Sequence, residues 1–248
     1  MLTNLHRLYR RLLAHPPTLD KEVTMDTYRD FMMEETFFYS ERYAKQRVTI
    51  HNPNNLAKAI KQRGAILAFM HYGSFFLFGG AIRHQLQLPY TAIASRRNLS
   101  QLSPADKKFW QGVHRRSGEL YGQPLFFSDE KVSQSVRWLE QPSHLLGVAL
   151  DVHELDYPRE KHSFQFLGRE VFLPDSPSRL AKIAQVPMVP TLIRFDERSS
   201  THHLHLYEPV RVESPNGAIQ QVLSQLEGWI EADPSQQFFD IAQAFSTP

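Results

Sequence analysis

His71 is the residue of this chain whose neighbours most suggest chemistry. It closes an apolar run, Ala65 to Met70. Gly73 and Ser74 follow, and then a second apolar run that ends on Gly79-Gly80. A short apolar run that stops at a polar residue and a Gly predicts a buried strand delivering a side chain to its carboxyl end. In open α/β sheets that edge is where ligands sit. Ser74 has the type of an N-cap, so a helix is expected from there to Leu86. An imidazole titrates in the range a proton-transfer catalyst needs, and the bland alternative is a satisfied core histidine. A second apolar run, Leu145 to Leu150, ends on Asp151, a catalytic or binding type at a second strand end.

Other polar residues fall into weaker groupings. Ser95, Arg96 and Arg97 follow an expected strand at Tyr90 to Ala94, and Lys107, Lys108, His114, Arg115 and Arg116 lie on the helix expected after it. Such a charge run is either a solvated helix face or a patch for a phosphate or an acidic partner. His202, His203 and His205 invite a metal reading. Strand alternation puts His203 and His205 on one face and His202 on the other, and two ligands do not close a zinc site, so no metal is expected. Asp151-x-His153 has the same weakness. Asp175 reads equally as the N-cap of a helix at Ser176 to Ala184 or as a site residue. No phosphate-binding glycine loop or dinucleotide fingerprint occurs.

The elements that must position these groups alternate between strand and helix. Together with 248 residues and 42% hydrophobic content, this predicts a single α/β domain: a mostly parallel sheet flanked by helices. With no cysteine, disulfides and thiolate chemistry are excluded. A net charge of only +2 argues against nucleic acid as a partner. No apolar run approaches the ~18 residues of a transmembrane helix, and the first residues lack a signal-peptide pattern. Residues 1–47 are expected to form an N-terminal helical segment. Within it, Leu2, Leu5, Leu8 and Leu12, interleaved with Arg7, Arg10 and Arg11, make residues 1–14 a basic amphipathic helix. That helix lies on an anionic membrane surface or packs on the domain. Residues 48–248 form the α/β domain.

Four blocks in this order resemble the lysophospholipid and glycerolipid acyltransferase superfamily, and most closely its bacterial lipid A late acyltransferases and their mycobacterial mannoside-acylating relatives. They are F-M-H-Y-G-S-F-F around His71, Ile93-Ala94-Ser95-Arg96, V-A-L-D-V-H-E-L ending its strand on Asp151, and the run from Phe166 to Pro190. The closing I-E-A-D-P-S-Q-Q-F-F is similar to the family's last helix and Pro-x-x-aromatic signature. The resemblance covers roughly Val48 to Phe239 and implies the glycerolipid-acyltransferase fold.

It further implies acyl transfer to a lipid hydroxyl, with His71 as the base. The donor would be the phosphopantetheine thioester of an acidic acyl or aminoacyl carrier protein, or coenzyme A, with no bound cofactor. The acceptor would be a lipid A-type glycolipid at the cytoplasmic face of the inner membrane. Gly73, Ser74, Ser95, Arg96, Arg97, His114 and Arg115 become substrate-binding candidates, and Asp151 joins His71 as a catalytic one. Three positions depart from the family. Phe76 stands where it carries the acid that orients the histidine, Ser95 where it carries a Glu, and His114 where it carries an Arg. Asp151, Asp129 and Glu154 are candidates to replace the missing acid. A lipid A glycyltransferase of polymyxin resistance also lacks the standard dyad, which makes glycyl transfer the leading specific expectation. A fatty-acyl transferase and an inactive lipid-binding homologue are the alternatives.

Overall fold

The computed structural model describes residues 39–96, 104–152, 161–196 and 198–237. The amphipathic stretch at 1–14, together with Arg97, His153 and Glu154, lies outside the described residues. Helix α1 (Glu41–Arg47) leads into β1 (Val48–His51), α2 (Pro53–Ala59) and β2 (Ala65–Phe69). Next come α3 (Phe75–Gln85), β3 (Tyr90–Ala94), α4 (Pro104–Tyr121), β4 (Phe126–Phe127), α5 (Val132–Leu139) and β5 (Leu145–Ala149). A hairpin of β6 (Lys161–Phe166) and β7 (Arg169–Pro174) precedes α6 (Ser176–Ala184), β8 (Met188–Asp196), β9 (Thr201–Leu206) and α7 (Pro215–Ala232).

Seven strands form one sheet in the order β1-β9-β8-β2-β5-β3-β4. The five from β8 to β4 run parallel. β9 is antiparallel to β8, and β1 pairs parallel with β9, so one edge of the sheet runs backwards. The central strand β2 shows why its sequence is an unbroken apolar run. Ile66, Ala68 and Met70 enter a core shared with α5, α6, α7 and the hairpin, while Ala65, Leu67 and Phe69 enter a second core under α1 to α4. A strand covered on both faces has no polar side to alternate with. Tyr39 and Ala44 sit in that second core, so the end of the N-terminal segment packs as part of the domain.

The β6–β7 hairpin turns through Leu167 and Gly168, both with positive φ, as a two-residue turn of its twist requires. Beside the site, Gly79 and Gly80 let α3 lie close to its neighbours: a Cβ on Gly79 would fall 2.1 Å from the Tyr90 ring, and one on Gly80 2.7 Å from Leu120. Among the described residues no helix is long and apolar enough to cross a membrane.

Candidate active site

The parallel strands all end at one edge of the sheet, and His71, Asp151, Ser95 and Arg96 follow their last residues there. The last ladder bond between β2 and β5 runs from Leu150 N–H to Phe69 C=O, at 2.8 Å. One residue further on, the Asp151 carboxylate takes over as acceptor. Its Oδ2 accepts the His71 backbone N–H at 2.8 Å, and its Oδ1 lies 2.7 Å from His71 Nδ1. A single carboxylate thus fixes both the backbone and the ring of one residue. Asp151 is wholly buried, whereas the His71 side chain keeps 17% of its surface. A carboxylate is accommodated in such a place only when paired and hydrogen-bonded, as this one is. An Nδ1–H donated to Asp151 leaves the basic lone pair on Nε2.

Aromatic side chains hold the imidazole from the other directions. The edge of Phe75 meets it at 4.6 Å between centroids, and Phe69 at 5.8 Å. Phe76 lies tilted against Phe75, 4.2 Å between centroids, and packs against the core beneath α3. The position that carries an acid in the resembled family is therefore part of an apolar wall, and the carboxylate at the histidine comes from the next strand.

Gly73 makes the turn between His71 and α3. Its φ is +53°, and a Cβ there would sit 2.2 Å from the Ile193 carbonyl oxygen, so no larger residue fits. Ser74 is the N-cap residue of the helix, as expected, and is buried, but its side chain makes no capping hydrogen bond. The first turn is closed instead by the backbone, with Phe75 N–H bonding Gly73 C=O and Leu77 N–H bonding Ser74 C=O.

Sequence reading missed Gln236. Its backbone carbonyl accepts Gly73 N–H at 2.8 Å, while its side-chain amide bonds both the N–H and the C=O of Phe195 at 2.8 and 3.0 Å. Gln236 thus clamps the His71 loop to the end of β8. Tyr72 adds a second tie through its hydroxyl to the Asp233 carbonyl, at 2.8 Å. The signal was the D-P-S-Q-Q run, visible as a family signature but without a role.

Two strands along the same edge, a second group forms around Phe127. Arg96 lies 3.8 Å over that ring, with Glu130 at 2.9 Å and Asp129 at 3.4 Å. His114 packs on the same ring at 5.7 Å, and burial, with Arg96 adding to it, holds its pKa at about 4. The structure thus brings Arg96 and His114 together on β4, with Ser95 next to Arg96 and its hydroxyl oxygen buried and unpartnered. Asp129 is engaged with Arg96 and Asp151 with His71, which separates two of the candidates for the missing acid. Arg115 is exposed and lies 3.9 Å from Glu119, and Arg116 is spent on Glu119 and the Tyr39 carbonyl. Lys107 and Lys108 are exposed. The basic run of the sequence is in large part an ion-paired surface.

The remaining candidates separate as strand alternation requires. His202 faces α1 and bonds the Tyr43 hydroxyl at 3.1 Å, while His203 and His205 point to the opposite face with His51. Among the described residues no three His, Asp or Glu side chains converge as metal ligands. Asp175 is the N-cap residue of α6, although its side chain makes no capping hydrogen bond. It pairs with Arg179 at 2.8 Å, and His162 lies 3.5 Å away.

A family model, that of bacterial lipid A biosynthesis acyltransferases, matches residues 24–246. A comparison with curated proteins found no match. The matched span takes in every strand of the sheet, the His71–Asp151 pair and the Gln236 clamp. The chain belongs to the bacterial lipid A biosynthesis acyltransferase family, whose reaction is acyl transfer to a lipid A-type glycolipid.

Proposed function

We propose that this protein moves a glycyl group from the thioester of an acidic carrier protein to a hydroxyl of a lipid A-type glycolipid, with His71 and Asp151 as its catalytic pair. The observation that carries the reading is the 2.7 Å contact between His71 Nδ1 and the buried Asp151 carboxylate. In the reaction, His71 Nε2 takes the proton of the acceptor hydroxyl as its oxygen attacks the thioester carbonyl. Asp151 holds the ring in the required tautomer and stabilises the imidazolium that forms. The tetrahedral intermediate collapses with cleavage of the C–S bond. The departing thiolate recovers the proton from His71, so an ester and a free carrier thiol result. In this proposal the amino end of α3, which begins four residues after His71, offers its positive dipole end to the developing oxyanion.

The glycyl donor is supported by the departure at Phe76, which removes the standard acid as in the glycine-transferring relative. A fatty-acyl donor is the second reading, favoured by the Phe69 and Phe75 edges that make the surroundings of His71 apolar. The other candidate residues take binding roles in this proposal. Gly73 and Ser74 shape the turn under the reacting carbonyl, and Ser95, Arg96, Arg97, His114 and Arg115 face the phosphorylated acceptor or the carrier. The amphipathic stretch at 1–14 attaches the protein to the cytoplasmic leaflet of the inner membrane.

The test is mass spectrometry of lipid A incubated with the protein and a carrier charged with glycine or with a fatty acid. A gain of one glycyl unit, lost in His71→Ala, supports the proposal. A fatty-acyl gain replaces the donor and keeps the catalytic pair. No gain with either donor leaves a lipid-binding homologue and overturns the reading.

A further inference from the structure

The backward-running edge of the sheet carries a polar cluster that the acyl-transfer chemistry does not use. Arg194 of β8 pairs in register with His203 of β9, Leu192 with His205, and His51 of β1 with His205. Leu192 points into the core under α7, so Arg194, His203 and His205 share that face. Trp229 of α7 forms its wall. The Arg194 guanidinium lies 4.5 Å from the Trp229 ring centroid, and the His205 ring lies 4.9 Å from it. His51 stacks on His205 at 4.5 Å, and Tyr207 continues the stack at 6.3 Å.

Three polar groups in this cluster are buried with a donor left over: Arg194 Nε and His205 Nε2 have no hydrogen-bond partner, and the Tyr207 hydroxyl accepts from the Trp229 indole while its own O–H meets no acceptor. Each unmet buried group costs roughly 1–3 kcal/mol, so three in contact with one indole ring call for an occupant. All three are able to donate at once, and an arginine can only donate. A water molecule accepts two such bonds and leaves the guanidinium charge unmatched. A tetrahedral oxyanion accepts all three and neutralises the charge. Among the described residues no carboxylate forms an ion pair with Arg194. Asp196, on the same strand, is turned to the Ser199 hydroxyl at 2.7 Å, with His203 at 3.9 Å. On the far side, the Tyr72 hydroxyl is given to the Asp233 carbonyl.

We propose that Arg194, His205 and Tyr207, walled by Trp229, form a binding site for a small oxyanion of the phosphate type. The site lies on the far side of β8 from the α3 face of the sheet, and no residue of the His71–Asp151 pair belongs to it. The surroundings match an anion in charge as well as in geometry. Burial, then His51 and Arg194, then His203 hold His205 at about 4, and burial pushes Tyr207 up to about 12, with Trp229 and Arg194 acting against that rise. A positive charge on His205 is disfavoured beside Arg194, and an anion reverses that sign. Binding therefore draws a proton onto His205 and tightens as pH falls.

The probe is sulfate, whose charge is constant through the neutral range, titrated into the full-length protein by calorimetry and followed by histidine side-chain NMR. The expected result is saturable one-to-one binding that strengthens several-fold from about pH 8 to about pH 6, with the His205 signals shifting. Arg194→Gln and Tyr207→Phe should each weaken it by about tenfold. Arg194→Lys, which keeps the charge but loses the Nε donor, should fall between them and the unmodified protein. His71→Ala should bind sulfate unchanged, which separates this site from the proposed catalysis. Vesicles of phosphatidic acid, with phosphatidylcholine as control, distinguish the source. Arg194-dependent capture that sulfate displaces assigns a lipid headgroup, and sulfate binding alone assigns a free oxyanion. Binding of neither probe, or sulfate binding indifferent to both Arg194→Gln and Tyr207→Phe, overturns the proposal.

Discussion

Histidines stand at two places on this sheet, and the sheet treats them in opposite ways. At the parallel centre, His71 meets one buried carboxylate, 2.7 Å from its Nδ1, and aromatic edges. At the backward edge, His51, His203 and His205 meet one another and an arginine. The first gives the ring an acceptor for its Nδ1–H, which fixes its tautomer. The second resists positive charge on His203 and His205, lowered first by burial and then by the neighbouring arginine and histidines. What separates the two is topology. Parallel β2 and β5 bring the residues after two apolar runs side by side at one edge, so a histidine from one and an aspartate from the other meet. β9 delivers His203 and His205 to one face from a single strand, so they meet each other, His51 of β1, Arg194 of β8 and Trp229 of α7.

Removing a histidine from each region should break this symmetry most sharply. His71→Ala should lower turnover by roughly 10²–10⁴-fold, the usual worth of a positioned acid or base, with the melting temperature unchanged. His203→Ala should leave turnover within about twofold. Equal losses in a steady-state assay of the two variants would dissolve the distinction. Next in size is Gly73→Ala, which forces a side chain into positive φ and onto the Ile193 carbonyl. It should destabilise the fold by roughly 1–3 kcal/mol through strain alone and displace His71, so both chemical denaturation and turnover should register it.

The neutral-histidine environment has its own signature in stability. His202 is buried, and burial, then His203, then Arg47, hold its pKa down at about 3. The unfolded chain binds a proton near the ordinary pKa of 6.5 and the folded chain does not, so stability falls as pH drops below that value. By pH 5 this one group costs about 2 kcal/mol, and His114, held at about 4, adds in the same direction. His202→Gln should flatten the dependence between about pH 7 and pH 5 in denaturant titrations. An unchanged slope would mean that the ring is not held neutral. The smallest effect expected is that of Phe76→Asp. The carboxylate at His71 is already supplied by Asp151, so the new acid should bring no rate increase and cost about 1 kcal/mol of stability. A clear rise in turnover would mean that the site had been waiting for its acid at Phe76.

Much of this arrangement was legible in the residues, for identifiable reasons. The α/β alternation, and Ala65 to Met70 as a buried strand, follow from apolar runs of strand length punctuated by glycine and proline. The split of His202 from His203 and His205 follows from the two-residue period of a strand. Other features depend on contacts distant in sequence. Eighty residues separate His71 from Asp151, and only the order of β2 and β5 in the sheet makes them neighbours, so Asp151 stood as one of several candidates. The reversal of β1 and β9 is invisible because strand direction leaves no mark on a short apolar run. The strand that carries His202, His203 and His205 ends at Leu206, three residues before Pro209. Gln236 was passed over because nothing in a glutamine's local sequence foretells which backbone it will clamp. The basic run after β3 stood open between a solvated face and a patch because its partners, Glu119, Asp129 and Glu130, reach it only in the fold.

The central claim is that Asp151 has taken the place of the family's acid and holds His71 with its proton on Nδ1. Imidazole ¹⁵N chemical shifts of His71, measured at about pH 8 where an ordinary histidine is neutral, report that tautomer directly. The account predicts a proton on Nδ1 in the unmodified protein. In Asp151→Asn, whose amide N–H replaces the acceptor, it predicts transfer of the proton to Nε2. A His71 that carries its proton on Nε2 with Asp151 intact would contradict it.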